Sequence, residues 1–464
     1  MTDKTNYLIT NLPQGWEWKT LENIAEIQIG KTPTRNNLDF FQGENIWLSI
    51  RDLKDKFISS SNEKISDEAI VKTNMKKVPK GTLLMSFKLT LGKTAFADCD
   101  LYTNEAIAAI FIKDENVNKY FLDYALKFTN LDKYVDNAVK GKTLNKQKLK
   151  QIEIPLPPLK EQGRIAGILD LAFEKIDTSV ELLKANLANL DELTKSVLDR
   201  AFNPLGDSAD STESTQNPST HDIQSPYPLP QHWEWKSLGE MCKILNGGTP
   251  DTKNPVFWDL NQSHEVQTDK SVVGVGGEVE RGEGATSQFK PLHPLAKEKS
   301  YYWATLVDTK QKYLYSTQRK ITQKGLDSSN ATLLPVNSVI FSSRASIGEV
   351  CIAKVETATN QGYKNFVCDE NVLYYEFLYF ALQRFAKEIE SLAQGTTYKE
   401  VSKAKISEFQ IPLPKDIKEQ EQIAKHLDST FERIKKLKEL YNTQLQDYEE
   451  LKQSLLTQAF SGKL

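Results

Sequence analysis

The residues with the most chemical potential in this sequence are basic, and they are bunched. Residues 71–97 carry six lysines (Lys72, Lys76, Lys77, Lys80, Lys88 and Lys93) and no acid. Residues 133–150 carry six more against Asp136 alone, among them Lys140, Lys142, Lys146 and Lys148. Residues 309–326 hold Lys310, Lys312, Arg319, Lys320 and Lys324, again without an acid, with Tyr301, Tyr302, Trp303, Tyr313 and Tyr315 among or beside them. Clustered Lys and Arg with Asn, Gln, Ser and Thr nearby is what contact with phosphates and base edges requires. A single cluster is equally well a solvated surface. Several of them, in both halves of the chain, point to a polyanion.

Catalytic patterns are missing. Gly30-Lys31-Thr32, Gly92-Lys93-Thr94 and Gly141-Lys142-Thr143 each resemble the end of a phosphate-cradling loop. The glycine required five residues earlier is Ala25, Phe87 or Asp136 instead. The glycine-rich stretch 273–284 fails a dinucleotide fingerprint at Val279 and reads as a loop. No N-P-P-Y, D-P-P-Y, G-x-S-x-G or H-E-x-x-H occurs. Cys99, Cys242, Cys351 and Cys368 are far apart in sequence without C-x-x-C, and the five histidines are scattered, so neither a metal site nor a disulfide framework is expected. The cysteines read as reduced and the compartment as cytoplasm.

The elements that must position these residues come in two copies. The chain has 464 residues, 39% hydrophobic and 9% aromatic, which fits two or three folded domains. No apolar run is long enough to span a membrane, and MTDKTNYLIT lacks the pattern of a secretory leader. The net charge of −3 excludes a wholesale basic coat protein but not local nucleic-acid binding.

LPQGWEWKTLENIAEIQIGKTP (12–33) returns as LPQHWEWKSLGEMCKILNGGTP (229–250). Stretch 81–111 returns as 337–367, setting Lys88 opposite Arg344 and Asn104 opposite Asn360. IEIPLPPLKEQGRIAGILD (152–170) returns as FQIPLPKDIKEQEQIAKHLD (409–428). A repeat of this length is a duplicated domain, not a solenoid unit.

Each copy begins with short apolar runs such as 81–87, 103–112 and 337–343, read as buried strands, with helices near 118–128 and 373–390. Each ends at I-P-L-P, where proline stops a helix or central ladder. A long helix follows. Its apolar positions alternate by three and four: Leu169, Phe173, Ile176, Val180, Leu183, Leu187, Leu190 and Val197 in copy one, and Leu427, Phe431, Ile434, Leu437, Tyr441, Leu445, Tyr448, Leu451 and Leu455 in copy two. That spacing is a coiled-coil seam, and the economical partner of each helix is the other.

The expected architecture is mixed α/β (α+β): two tandem globular domains and two long helices in an antiparallel coiled coil, a pseudo-twofold internal repeat. The boundaries read 1–155 for the first domain, 156–202 for helix one, 203–228 for a flexible linker, 229–414 for the second domain and 415–464 for helix two. Lys146 and Lys148 follow Lys140 and Lys142 around Gly141, and Thr396, Thr397 and Lys399 follow Gly395, in a shared loop just before the I-P-L-P break. Phosphate contact is expected there, and DNA contact at Lys88, Lys93 and Arg344 as well. Trp16, Trp18, Trp233 and Trp235 read as core. Glu161-Gln162 and Glu419-Gln420 fall in the first helical turn, as caps or as a contact to a partner.

Tandem domains ending in I-P-L-P, then EQ-x-x-IA-x-x-LD and a long helix ending in Ala-Phe, are together similar to the specificity subunit of type I restriction-modification systems. The W-x-W opening and Ser342-x-Arg344-x-Ser346-x-Gly348 support the resemblance; copy one departs, with Lys88 in place of the arginine. The resemblance implies a non-catalytic, DNA-binding subunit of a phage-defence complex. Each domain would be a target recognition domain for one half of a bipartite, asymmetric double-stranded site. The coiled coil would set the gap and dock two modification (methyltransferase) subunits, joined by restriction (translocase-nuclease) subunits. S-adenosylmethionine, ATP and Mg are then expected in those partners and no cofactor in this chain. Two other readings stay open at this point: an enzyme with an unrecognised site, and a coiled-coil scaffold without sequence-specific DNA binding.

Overall fold

The computed structural model describes residues 12–135, 143–206, 227–259, 299–395 and 399–464. Most of the expected linker (207–226) and the glycine-rich stretch 273–284 lie outside the described residues. Contacts divide the chain into two units, Met1–Leu187 with Glu439–Leu464, and Ala188–Lys438.

The first unit runs β1 (Glu17–Thr20), α1 (Leu21–Ile24), β2 (Ala25–Ile29), β3 (Asn45–Leu48), β4 (Phe57–Ile58), β5 (Glu63–Ile65), α2 (Asp67–Thr73), β6 (Leu83–Ser86), β7 (Thr94–Ala97), β8 (Tyr102–Thr103), β9 (Ile107–Ile112), α3 (Lys119–Phe128), α4 (Lys146–Lys150), β10 (Glu153–Leu156) and α5 (Leu159–Phe202). A mixed five-stranded sheet has the order β2-β9-β6-β7-β4, and a three-stranded sheet the order β5-β3-β8. Leu83, Met85, Ala108 and Ile110 pack on one side with Phe121 and Ala125 of α3. Leu84, Ile107 and Ala109 pack on the other side with Leu48 and Leu53. Both faces are covered, which is why these strands read as unbroken apolar runs and not as alternating ones.

The second unit repeats the plan: β11 (Trp233–Ser237), α6 (Leu238–Met241), β12 (Cys242–Asn246), β13 (Ser300–Ala304), β14 (Tyr313–Leu314), β15 (Arg319–Thr322), α7 (Gln323–Asp327), β16 (Val339–Ser342), β17 (Val350–Ala353), β18 (Thr357–Thr359), β19 (Tyr363–Cys368), α8 (Tyr375–Arg384), α9 (Ala386–Ser391), α10 (Lys403–Glu408), β20 (Gln410–Pro414) and α11 (Ile417–Phe460). Its sheets, β12-β19-β16-β17-β14 and β15-β13-β18, match the first unit strand for strand. The same close approach recurs as well. A Cβ on Gly30 would lie 2.0 Å from the Thr103 carbonyl oxygen, and one on Gly247 would lie 1.8 Å from that of Asn360. Only glycine fits at either place.

The W-x-W and I-P-L-P segments form one ladder in each unit, β1 with β10 and β11 with β20, with Trp18 opposite Pro155 and Trp235 opposite Pro412. Proline is tolerated because the ladder has two strands and a free edge. The tryptophans do not share one fate. Trp233 is buried and its Nε1 donates to Glu419 at 3.0 Å. Trp16 meets Phe121 edge-on and Trp235 meets Tyr227, whereas Trp18 is 46% exposed, against the expectation of core.

The E-Q motif is structural at its glutamine. Gln162 is fully buried; its Oε1 accepts from Asn118 N at 2.8 Å, and its Nε2 donates to the carbonyls of Asn116 (2.8 Å) and Pro157 (2.7 Å). Gln420 does the same with Tyr374 N, Val372 O and Pro414 O. These side chains are unavailable to any partner. The final aspartate of the motif anchors the sheet edge. Asp170 receives Lys56 and the Tyr124 hydroxyl, and Asp428 receives Lys312 at 2.6 Å.

In the first unit α5 is antiparallel to Glu439–Phe460. Arg164 donates to the Leu464 carbonyl at 2.7 Å, and further along Asp177 pairs with Lys452. Phe460 is fully buried between Phe121 and Phe128. In the second unit Asp191 pairs with Lys438 at 2.6 Å, and Phe202 is buried against Phe377 and Phe385. Leu169, Ile176, Val180, Leu183, Leu427 and Ile434 are buried, and Phe173, Leu187, Leu190, Val197, Phe431, Tyr441, Leu445, Tyr448 and Leu455 are half-buried. Leu437 and Leu451 are exposed, which corrects the expected seam. The half-buried positions are their neighbours Lys438 and Lys452, which turn aliphatic stems inward and pair their ammonium groups across the helices. The helices begin at Leu159 and Ile417, after the prolines. No described helix is long and apolar enough to cross a membrane.

Phe460→Ala should lower stability by about 3–5 kcal/mol, while Leu437→Ala should cost under about 0.5 kcal/mol; urea unfolding of the full chain measures both. Gln420→Leu leaves three buried backbone groups unpaired and should cost at least about 2 kcal/mol in the same assay.

Candidate nucleic-acid interface

In both units the loop between the hairpin strands is tied by the same two backbone hydrogen bonds, while the serine hydroxyl at its start finds a different loop carbonyl. In the first, Ser86 N donates to Lys93 O and Gly92 N to Ser86 O, while Ser86 Oγ donates to Thr90 O at 2.5 Å. In the second, Ser342 N donates to Glu349 O and Gly348 N to Ser342 O, and Ser342 Oγ donates to Arg344 O at 3.1 Å. Gly92 and Gly348 take positive φ (77° and 101°), as does the residue at each loop tip: Leu89 at 61° and Ala345 at 63°. A left-handed conformation costs an L-residue about 1–2 kcal/mol. Leu89 is nonetheless 76% exposed, so its side chain does not repay that cost by packing.

These loops bring separated basic segments together. Lys88 bridges Thr143, and Leu144 N donates to Phe87 O at 2.9 Å. Arg344 bridges Glu400, and Val401 N donates to Ser343 O at 3.0 Å. Each tip therefore abuts a distant segment, Thr143–Leu144 in the first unit and Glu400–Val401 in the second. Lys140, Lys142, Thr396 and Thr397 lie outside the described residues. Lys93, Lys146 and Lys399 are exposed and Lys148 is half-buried. Asn145 caps α4 by accepting from Lys148 N at 2.9 Å, fixing Lys146 at the first helical position.

Lys146 also lines a groove of about 650 Å3 in the first unit with Gln28, Lys31, Asn74, Lys76 and Lys77. Lys31 Nζ is held at the C-terminus of α2, donating to Thr73 O (3.0 Å) and Asn74 O (3.1 Å). This convergence of Lys31 with Lys76 and Lys146 was not legible from spacing, because three distant segments build it. The three-stranded sheets add a second feature. Arg35 lies 4.5 Å from the Phe41 ring and 5.1 Å from Trp47. Its hydrogen bonds to Glu63 push its pKa up and that of Glu63 down, keeping both charged. Arg319 lies 4.1 Å from Trp258 and 5.7 Å from Trp303. Aromatic faces of this kind orient a guanidinium without neutralising it.

Folding neutralises part of the acid-free runs. Lys72 pairs with Glu68 (2.7 Å), Lys77 with Asp100 (3.6 Å) and Lys80 with Asp98 (2.9 Å). Lys310 pairs with Glu349 at 2.5 Å. Lys312 is turned inward: it is largely buried between Asp428 (2.6 Å) and Glu376 (3.4 Å), with the Tyr313 and Phe380 rings each 4.9 Å away. That corrects its expected place on a DNA-facing surface, since its charge is already matched by two carboxylates. Burial, with the hydrogen bond to Glu376, pushes the neighbouring Tyr313 hydroxyl well up and keeps it neutral. Lys320 lies 4.7 Å from the Tyr302 ring, and Lys324 is exposed on α7. Among the described residues no group of three His, Cys, Asp or Glu is placed to hold a metal ion.

The two frameworks also differ. Lys364, almost fully buried on β19, pairs with Glu400 at 3.1 Å beside the second loop. The first unit has Ala108 and Thr143 at those places. One scaffold thus presents two chemically distinct faces.

The family model for the type I restriction modification DNA specificity domain matches residues 13–189 and 230–445. The MjaIX type I restriction enzyme specificity subunit of Methanocaldococcus jannaschii is 26% identical over 255 residues, 54% of this chain and 56% of that protein, so the chain spans just over half of that relative. The MjaVIII specificity subunit of the same organism is 21% identical over 458 residues, 98% of this chain and 94% of that protein. A solved chain from a type I restriction-modification system has a TM-score of 0.69 at 18% identity, covering 98% of this chain and 100% of that one, and so shares the fold. With both repeats matched by one family model, the chain belongs to the type I restriction-modification DNA specificity family.

Proposed function

We propose that this chain is the DNA-reading subunit of a type I restriction-modification complex, each globular unit reading one half of a bipartite, asymmetric site. The carrying observation is the loop framework present twice: the same backbone ties hold different tips, Leu89 beside Lys88 and Ala345 beside Arg344. Identical positioning with different side chains is what reading two different half-sites demands. A scaffold without sequence preference leaves the strained, exposed Leu89 unexplained.

The chain itself is non-catalytic in this reading, and it acts in the cytoplasm. The long helices set the distance between the half-sites and dock two modification subunits. Those supply S-adenosylmethionine binding and methylation, and restriction subunits supply ATP- and Mg-dependent translocation and cleavage. Support for docking comes from the helix surface. Leu171 and Leu182 are exposed on the first unit's part of α5, eleven residues or about three helical turns apart, so they share one face. Exposed leucines aligned on one helix face suit contact with a protein partner.

The nearly neutral net charge suits shared phosphate contacts, with Lys31, Lys76, Lys93, Lys146 and Lys399 among the cations that stand outside the ion pairs described above. Lys146→Ala should weaken binding to all DNA sequences alike and make the slope of log K against log salt shallower by about one. Fluorescence anisotropy across a salt series measures it. Co-expression with a modification subunit followed by sequencing of methylated DNA tests the whole reading. One bipartite motif is expected, and methylation without any motif would overturn it. In that assay Leu89→Ala should relax one half of the motif and Ala345→Leu alter the other; a change in neither half would remove the tips from base reading.

A further inference from the structure

Two of the four cysteines, 126 residues apart in sequence, face each other across one ladder. Cys242 opens β12 and pairs with Cys368, the last residue of β19. The hydrogen-bonded pairs on this ladder are identifiable: Gly247 N donates to Tyr363 O, and Asp369 N donates to Met241 O. Alternation along an antiparallel ladder then makes Cys242 and Cys368 a non-hydrogen-bonded pair, where opposed Cα atoms approach to about 4.5 Å and side chains are closest. That separation lies within the range a disulfide accepts. The two Sγ atoms are 3.9 Å apart, on the same face.

The site is open to small molecules. Cys242 is buried and Cys368 is half-buried. Both line a recess of about 400 Å3 with Glu240, Lys243 and Asp369. The fold does not require the thiols, because the first unit has Ala25 opposite Ile112 at the equivalent register. The other two cysteines differ: Cys351 is fully buried and Cys99 points its Sγ to the Ser59 carbonyl at 3.7 Å.

We propose that Cys242 and Cys368 are a thiol–disulfide modification site, oxidised to a cross-strand disulfide by small disulfides of the glutathione class. The Cys368 thiolate attacks one sulfur of the small disulfide, forming a mixed disulfide and releasing one small thiol, which takes up the Cys368 proton. Cys242 then loses its proton to solvent and attacks Cys368 Sγ. The second small thiolate leaves and is protonated. Two protein thiols are oxidised and one small disulfide is reduced to two thiols. The order follows from access. The hydrogen bond to Cys368 and burial hold the Cys242 thiol far above its usual range, so the more exposed partner reacts first. The product staples the edge strand β12 to β19 and, by constraining a long loop of the unfolded chain, raises the melting temperature of the second unit.

The test uses the full chain and oxidised glutathione. Expected are a mass lower by two hydrogen atoms, loss of two alkylatable thiols, a single cross-linked peptide containing Cys242 and Cys368, and a higher melting temperature reversed by dithiothreitol. Cys242→Ala, which mimics Ala25, should keep the fold and retain glutathione on Cys368. A wild-type chain that stops at glutathionylated Cys368, or whose Cys242 and Cys368 stay alkylatable, would overturn the proposal. So would a disulfide involving Cys99 or Cys351.

Discussion

The structure turns on one buried amide in each unit. Gln162 and Gln420 sit where a mixed α/β domain hands over to a long helix, a junction at which backbone groups would otherwise be buried without partners. Each side chain takes one N–H and gives to two carbonyls, joining the start of the helix, the end of the I-P-L-P strand and the loop before or at the start of α3 or α8. An unmade hydrogen bond in such a place costs more than a made one contributes, so the amide fixes the helix direction with little tolerance. The Asp170 and Asp428 anchors, about two helical turns beyond, then hold the same helix to the sheet edge.

Much of this was legible from the chain alone. The internal repeat fixed the number of domains, and apolar runs without alternation gave strands buried on both faces. The helical seam was expected at Leu437 and Leu451 as at the other apolar positions, and there the side chains are exposed instead. A three-four count follows hydrophobicity, but here the seam passes through Lys438 and Lys452, whose stems are apolar and whose charges find Asp191 and Asp177. Long basic side chains on a seam are invisible to a pattern that counts only apolar residues.

Charge was harder to read, for a related reason. An acid-free run in sequence is not an acid-free surface. Asp98 and Asp100 reach back to Lys80 and Lys77, and Asp428 on the distant helix takes Lys312 out of play. Conversely, Lys31 looked like a fragment of a failed phosphate loop, yet it joins Lys76 and Lys146 around one groove. Sequence neighbours fix the local sign of charge, but the tertiary fold decides which charges remain uncompensated.

What holds the loops in place is separate from what the loops present. The parts that hold the loops are backbone hydrogen bonds, one serine and one glycine: Ser86 and Gly92, or Ser342 and Gly348. The tip residue contributes nothing to those ties, since Leu89 and Ala345 hold the same conformation with side chains of different size. Substitution at the tip therefore alters the face offered to a partner while the buried core and the helix junction stay as they are. Stability resides in Gln162, Gln420 and the aromatic ends Phe202 and Phe460, and in the proposed reading recognition falls to residues whose loss the fold would scarcely register. A duplicated domain built this way can diverge in its two loop tips independently, because the ties described for each tip are made within its own unit.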